Sequence, residues 1–130
     1  GQTLRGARIL VVEDDKDVRE LLLETFQKAE AEVLTTASAH EALTTASQFQ
    51  PTVIVSDIGL PGEDGYVLLK KWREAEKQQN REAIPAIALT GYAQTADAEL
   101  AYAVGYQAHL AKPIEPEALV ATIIGLIGQN

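Results

Sequence analysis

Several features that the sequence lacks limit what the protein can be. Cysteine is absent, so no disulfide framework can form. No run of about 18 apolar residues occurs, and the N-terminus lacks the basic-then-apolar pattern of a secretory signal. The 11 basic residues are outnumbered by 19 acidic ones, and a net charge of −8 disfavours direct binding to nucleic acid. These absences favour a cytoplasmic protein without membrane contact.

The motifs of several other site classes are also missing. There is no Gly-x-Gly-x-x-Gly and no Walker lysine motif, which argues against a nucleotide or flavin site. No Gly-x-Ser-x-Gly nucleophile elbow is present. The two histidines, His40 and His109, are far apart in a chain without cysteine, so a zinc site is not expected.

Five short apolar runs alternate with five helical patterns along 130 residues, a length typical of one domain. Strands are predicted over 8–12, 32–37, 52–56, 84–90 and 107–111, and helices over 18–29, 39–49, 66–77, 95–104 and 116–127. Continuous apolar strands indicate a parallel sheet covered on both faces, and right-handed crossovers then produce a doubly wound α/β sandwich. Residues 7–128 are predicted to be the domain, 1–6 a linker and 129–130 a tail.

Chemically useful residues stand where the predicted strands end. Glu13, Asp14 and Asp15 follow the first strand, Asp57 ends the third, Thr90 ends the fourth and Lys112 follows the fifth. Ligands in such a sheet bind beyond the carboxyl ends of the strands, so these groups are expected to meet. Asp15 is the exception, since a role as N-cap of the first helix is favoured over a role as metal ligand.

This combination of groups suits phosphoryl transfer. Crowded carboxylates repel one another, and a hard divalent cation relieves the repulsion; Mg²⁺ is the natural choice because it retains waters for a phosphate. Asp57 is a competent nucleophile for an aspartyl phosphate. Lys112 and the metal can neutralise developing charge, while the Thr90 hydroxyl can donate to a phosphoryl oxygen.

Four segments resemble the receiver domain of two-component response regulators, and the likeness extends from about Ala7 to Ile127. They are residues 9–15 (ILVVEDD), 55–62 (VSDIGLPG) followed by Asp64 and Gly65, 88–91 (ALTG) and 110–114 (LAKPI). One such segment would be weak, but four in order at the correct strand ends are specific. The resemblance implies a flavodoxin-like fold with strand order 2-1-3-4-5 and five helices.

The resemblance also implies roles for individual residues. Asp57 would take a phosphoryl group from a histidine kinase or a histidine phosphotransfer protein. Asp14, Asp57 and the Gly59 carbonyl would bind Mg²⁺, with Glu13 acting through a metal-bound water. Thr90 would be the switch hydroxyl and Lys112 the phosphate-binding lysine. The peptide bond between Lys112 and the following proline is typically cis in the family.

Two positions depart from the family pattern. His109 stands three residues before the lysine, where the family often has the Tyr or Phe of the switch, and Gly91 stands where alanine is common. The fourth helix, fifth strand and fifth helix form the usual output face, to which Tyr92, Tyr102 and Tyr106 could contribute; packing explains these tyrosines equally well.

Alternative functions stay open at this point. A pseudo-receiver would bind proteins without being phosphorylated, whereas the acidic site here is intact. An aspartate-nucleophile phosphatase would have a second acid two residues after Asp57, where this chain has Gly59. The parent protein is undecided between a hybrid histidine kinase, which is favoured, a stand-alone regulator and a transcription factor. Whether the whole protein is an enzyme is equally open.

Overall fold

The computed structural model describes residues 3–91 and 98–128, where five strands and five helices alternate. The strands are β1 (Arg8–Val12), β2 (Glu32–Thr36), β3 (Val53–Asp57), β4 (Ala86–Thr90) and β5 (Ala108–Ala111). The helices are α1 (Lys16–Lys28), α2 (Ala39–Phe49), α3 (Gly65–Gln78), α4 (Ala98–Val104) and α5 (Pro116–Ile127). The predicted alternation is confirmed; residues 95–97 of the predicted fourth helix lie outside the described residues.

All five strands are parallel, in the order β2-β1-β3-β4-β5, which confirms the flavodoxin-like doubly wound sheet. Successive residues of a strand face opposite sides. Ile9 of β1 packs with residues of α1 and α5, including Phe26, while Leu10 packs with residues of α2 and α3, including Trp72. The central strands are therefore mostly apolar because both of their faces are buried, and the polar residues of β3 and β4 stand at their carboxyl ends.

Strand β4 begins at Ala86, and the prediction that it starts at residue 84 is wrong. Pro85 has no N–H to donate, although its carbonyl accepts from the Ile54 N–H at 3.0 Å. The Ile84 N–H donates to the Glu76 carboxylate at 2.9 Å instead of to a strand. Residue 84 is thus bonded to a side chain of α3 and is not part of the sheet.

The segment before β1 packs against the body of the fold. Leu4 is 1% exposed and belongs to the core beside α1 and α5. Its N–H donates to the Ala29 carbonyl at 2.7 Å, and Arg5 forms an ion pair with Glu30 at 2.8 Å. The division into a linker over residues 1–6 and a domain from residue 7 stays a prediction, although Leu4 and Arg5 contact the rest of the fold.

Side-chain caps start three of the helices. Asp15 Oδ1 accepts from the backbone N–H of Asp17 at 2.9 Å, which confirms the predicted cap of α1. Ser38 caps α2, and Asp64 caps α3, which begins at Gly65, one residue before the predicted start at residue 66. Within the described part of the chain, no helix combines the length and apolar character needed to cross a membrane.

Candidate functional site

The carboxyl ends of β1, β3, β4 and β5 meet at one edge of the sheet. The register places Asp57 of β3 beside Leu89 of β4, and Thr90 beside the last residue of β5. Glu13 and Lys112 follow directly after β1 and β5. Because all strands run the same way, their next residues emerge on the same side of the molecule.

Three carboxylates form an acidic cluster at this edge. One ligand oxygen each from Glu13, Asp14 and Asp57 lies within 4.8 Å of the others. Glu13 is fully buried and Asp57 is 6% exposed, whereas Asp14 faces solvent. Glu13 Oε1 is buried and lies beside the ammonium of Lys112. A buried carboxylate within an all-oxygen donor set fits the preference of Mg²⁺ for carboxylates.

The ammonium group of Lys112 lies between two of these acids. Its Nζ is 2.8 Å from Glu13 Oε1 and 3.2 Å from Asp57 Oδ2. Partial burial opposes the positive charge, but the hydrogen bond with Glu13 and the charge of Asp57 outweigh it and raise the pKa of Lys112. The peptide bond from Lys112 to Pro113 is cis, as the resemblance implied.

The second oxygen of Asp57 is held by the loop that follows β3. Gly59 donates its backbone N–H to Asp57 Oδ1 at 2.9 Å. Among the described residues, Gly59 is thus the hydrogen-bond partner of one Asp57 carboxylate oxygen and Lys112 that of the other. The structure places Gly59 at the site through its N–H, and its carbonyl as a metal ligand stays a prediction.

Arg19 is a contributor to the site that the sequence reasoning missed. Its Nη1 donates to the carbonyl of Glu13 at 2.9 Å and to that of Asp14 at 3.2 Å, so α1 fixes the backbone of the acidic loop. Glu13 Oε2 also accepts from the Asp15 N–H at 3.0 Å. The available signal was the position of Arg19 one helical turn after the cap Asp15, on the side of the loop.

The two predicted switch residues have different surroundings. Thr90 is buried, and its hydroxyl donates to the Leu110 carbonyl at 3.5 Å, a long contact. His109 is half-buried, and its ring meets that of the exposed Tyr102 edge-on at 5.9 Å. The structure does not bring His109 to the acidic cluster by any contact among described residues. Tyr92 lies outside them.

Burial changes the titration of Glu13. Loss of solvent raises its pKa from 4.5 to about 7, and the charge of Asp57 adds to the increase, although Lys112 and the Asp15 N–H oppose it. The folded protein therefore holds this proton more tightly than the unfolded chain does. The free energy of unfolding consequently falls as the pH rises from about 4.5 to about 7.

Replacing Glu13 with Gln tests this effect without Mg²⁺. The free energy of unfolding of the variant minus that of the wild type is expected to be about 2 kcal/mol larger at about pH 8 than at about pH 5. The reason is that at about pH 8 only the wild type buries a charge at this position. Urea unfolding at the two pH values measures it. Glu20→Gln, on the exposed side of α1, is the control. A Glu13→Gln effect that is equal at both pH values would contradict the raised pKa.

Comparisons with known proteins agree with this geometry. The family model of the response regulator receiver domain matches residues 9–124. A 14.6 kDa protein in the sodA1 3′ region of Leptolyngbya boryana is 38% identical, over 94% of this chain and 91% of that protein. The response regulator Rre1 of Synechocystis is 32% identical over 94% of this chain, which spans 52% of its length. The chain belongs to the response regulator receiver domain family.

Solved structures place it in the same group. The chemotaxis response regulator CheY4 of Vibrio cholerae superimposes with a TM-score of 0.82 at 31% identity, covering 92% of this chain and 98% of that one. The receiver domain of the sensor histidine kinase PA1611 from Pseudomonas aeruginosa gives 0.82 at 28%, covering 95% and 99%. That structure is described with a magnesium ion coordinated in its active site cleft. The chain is a receiver domain of two-component signalling.

Proposed function

We propose that this receiver domain accepts a phosphoryl group on Asp57 in the presence of Mg²⁺ and thereby changes which partner it binds. The proposal is carried by one observation. Asp57, at the end of β3, shares the ammonium of Lys112 with Glu13 and lies in a cluster of three carboxylates. A nucleophile, a fixed positive charge and an oxygen-only cation site are thus in contact.

The residues have distinct parts in the transfer. A carboxylate oxygen of Asp57 attacks phosphorus; the new O–P bond forms as the bond to the donor, a phosphohistidine nitrogen, breaks, and the leaving imidazole takes up a proton. Lys112 neutralises charge on the phosphoryl oxygens. Mg²⁺, when held by Asp14, Asp57 and Gly59 with Glu13 acting through a bound water, supplies further positive charge there. The Thr90 hydroxyl can exchange its long bond to Leu110 for a phosphoryl oxygen at little cost.

The partners follow from this chemistry. The phosphoryl donor is a histidine kinase or histidine phosphotransfer domain in the cytoplasm, consistent with the presence of related receivers within histidine kinases. The chain spans 8% of one such relative, hybrid signal transduction histidine kinase D of Dictyostelium discoideum. The output is a shift between two conformations of the face formed by α4, β5 and α5, with His109 and Thr90 as switch residues.

Intact mass after incubation with acetyl phosphate tests the proposal. The wild type is expected to gain one phosphoryl group with Mg²⁺ and none without it. Asp57→Asn should gain none, because an amide oxygen is a far weaker nucleophile than a carboxylate.

Asp15→Asn is the matched control. It makes the same chemical change two residues after Glu13, and Asn caps a helix as well as Asp does. Phosphorylation of Asp15→Asn at the wild-type level would assign the reaction to Asp57. No mass gain in the wild type, with rapid hydrolysis excluded by a beryllium fluoride complex, would instead favour the pseudo-receiver that only binds proteins.

A further inference from the structure

Tyr106, at the turn between α4 and β5, is buried where its neighbours in sequence are exposed or half-buried. It is 2% exposed, and its hydroxyl donates to the Gly65 carbonyl at 2.7 Å, across 41 positions of sequence. Burial raises the pKa of Tyr106, so the hydroxyl remains a donor throughout the physiological pH range. A buried tyrosine whose hydroxyl makes a short hydrogen bond to a backbone carbonyl helps to hold that backbone in place.

Gly65 is in turn locked against the backbone of the phosphoacceptor. Its N–H donates to the Ile58 carbonyl at 2.9 Å. A Cβ at position 65 would lie 2.6 Å from the Asp57 carbonyl oxygen, so the two backbones are in direct contact. The Tyr106 hydroxyl is therefore hydrogen-bonded to Gly65, the residue whose backbone contacts the backbone of Asp57.

Tyr106 is also connected, through the residue before it, to a largely buried ion pair between Arg73 and Glu76. The carbonyl of the preceding residue, Gly105, accepts two bonds from Arg73, from Nη2 at 2.7 Å and Nε at 3.2 Å. Arg73 also pairs with Glu76 at 2.8 Å, and both side chains are largely buried. Glu76 accepts from the indole N–H of Trp72 at 3.1 Å. Trp72 is the sole tryptophan of the chain.

We infer that Tyr106 is a positioning residue that couples the Asp57 backbone, through Gly65, to the α4–β5 turn and, through Arg73 and Glu76, to Trp72. This inference rests on the proposed phosphorylation of Asp57. Each link is a covalent bond, a hydrogen bond of 3.2 Å or less or a backbone contact, and the side chains of Tyr106, Arg73, Glu76 and Trp72 are buried or largely buried, which leaves little room for independent movement. Displacement of the loop after β3 by a phosphoryl group is transmitted to the indole.

His109, the residue at the position of the family's aromatic switch, has no comparable connection in the described structure. Its ring nitrogen lies 3.3 Å from the Tyr102 hydroxyl, and Tyr102 is 50% exposed. Contacts of this kind are solvated and are easily replaced by water. Tyr106, in contrast, is buried and hydrogen-bonded to Gly65, so its contact can transmit movement from the Asp57 backbone.

Fluorescence of Trp72 and intact mass, recorded on the same samples with acetyl phosphate and Mg²⁺, test the inference. The wild type should show an emission change in proportion to its phosphorylated fraction. Tyr106→Phe removes one hydroxyl, and its change per phosphorylated molecule should be at least about twofold smaller. Tyr102→Phe, the same change on an exposed tyrosine, should match the wild type.

Arg73→Lys provides a second variant, because it retains the charge beside Glu76 but loses the paired donation to Gly105. It should also reduce the emission change at least about twofold, with the Tyr106 hydroxyl still in place. A full emission change in Tyr106→Phe and Arg73→Lys, or none in a phosphorylated wild type, would overturn the coupling alone. A wild type without mass gain would instead remove the proposed function, and the coupling with it.

Discussion

Replacing Gly65 with alanine is expected to lower the free energy of unfolding by about 3 kcal/mol or more. The added Cβ would lie 2.6 Å from the Asp57 carbonyl oxygen and 2.8 Å from the Ile58 Cα. Both atoms belong to the backbone of buried residues, so neither can move aside as a flexible side chain would. Urea unfolding of the variant and the wild type measures the difference.

The same substitution at Gly125 in α5 is the control. A Cβ there meets nothing within 4 Å among the described atoms, and alanine is favoured over glycine inside a helix by about 0.5 to 1 kcal/mol. Gly125→Ala is therefore expected to be neutral or stabilising. A Gly65→Ala loss below about 1 kcal/mol would show that the loop after β3 can yield. It would also weaken the argument that Gly65 transmits movement from Asp57.

Among variants that keep the nucleophile Asp57, the largest effect on the reaction is expected from Lys112→Met. Methionine approximates the length of lysine but removes the ammonium that lies 3.2 Å from Asp57 Oδ2. Loss of one positioned charge at a transition state typically slows a reaction by about 10²-fold to 10³-fold. We therefore expect phosphorylation by acetyl phosphate to slow by about 10²-fold, measured as the rate of mass gain at saturating Mg²⁺.

Lys71→Met serves as the control, because it removes from α3 an exposed ammonium that pairs with Glu63. It should phosphorylate at the wild-type rate, since a solvated ion pair contributes little and lies outside the acidic cluster. If Lys112→Met reacted within about threefold of the wild type, the ammonium would have no part in stabilising the transition state. The Glu13 carboxylate would then be its main partner, and Lys112 would be structural.

The placement of the acidic cluster was predictable from the sequence because it depends on strand direction. Parallel strands all end at the same edge, so residues that follow apolar runs are brought together whatever the details of packing. Asp57 and Glu13 are in this class, and the structure places both at the predicted edge. The N-cap role of Asp15 was also predictable, since it depends on residues within one helical turn.

Other features could not be predicted because they depend on contacts between distant segments. Leu4 is buried only because α1 and α5 pack together and provide the apolar surface that it contacts. An acidic residue in a helix is usually exposed, yet Glu76 is buried, and its carboxylate accepts hydrogen bonds from Trp72 and from the Ile84 N–H. The start of β4 follows from that contact as much as from Pro85.

The sequence by itself determined the alternation of strands and helices, the doubly wound sheet and the residues at its carboxyl edge, because these depend on periodicity and on chain direction. The tertiary structure alone decided which of those residues lose their solvent and which groups they face. The raised pKa of Glu13 and the bond from Tyr106 to Gly65 both arise in this way. Desolvation and side-chain contacts across the fold depend on three-dimensional packing, which local sequence patterns do not specify.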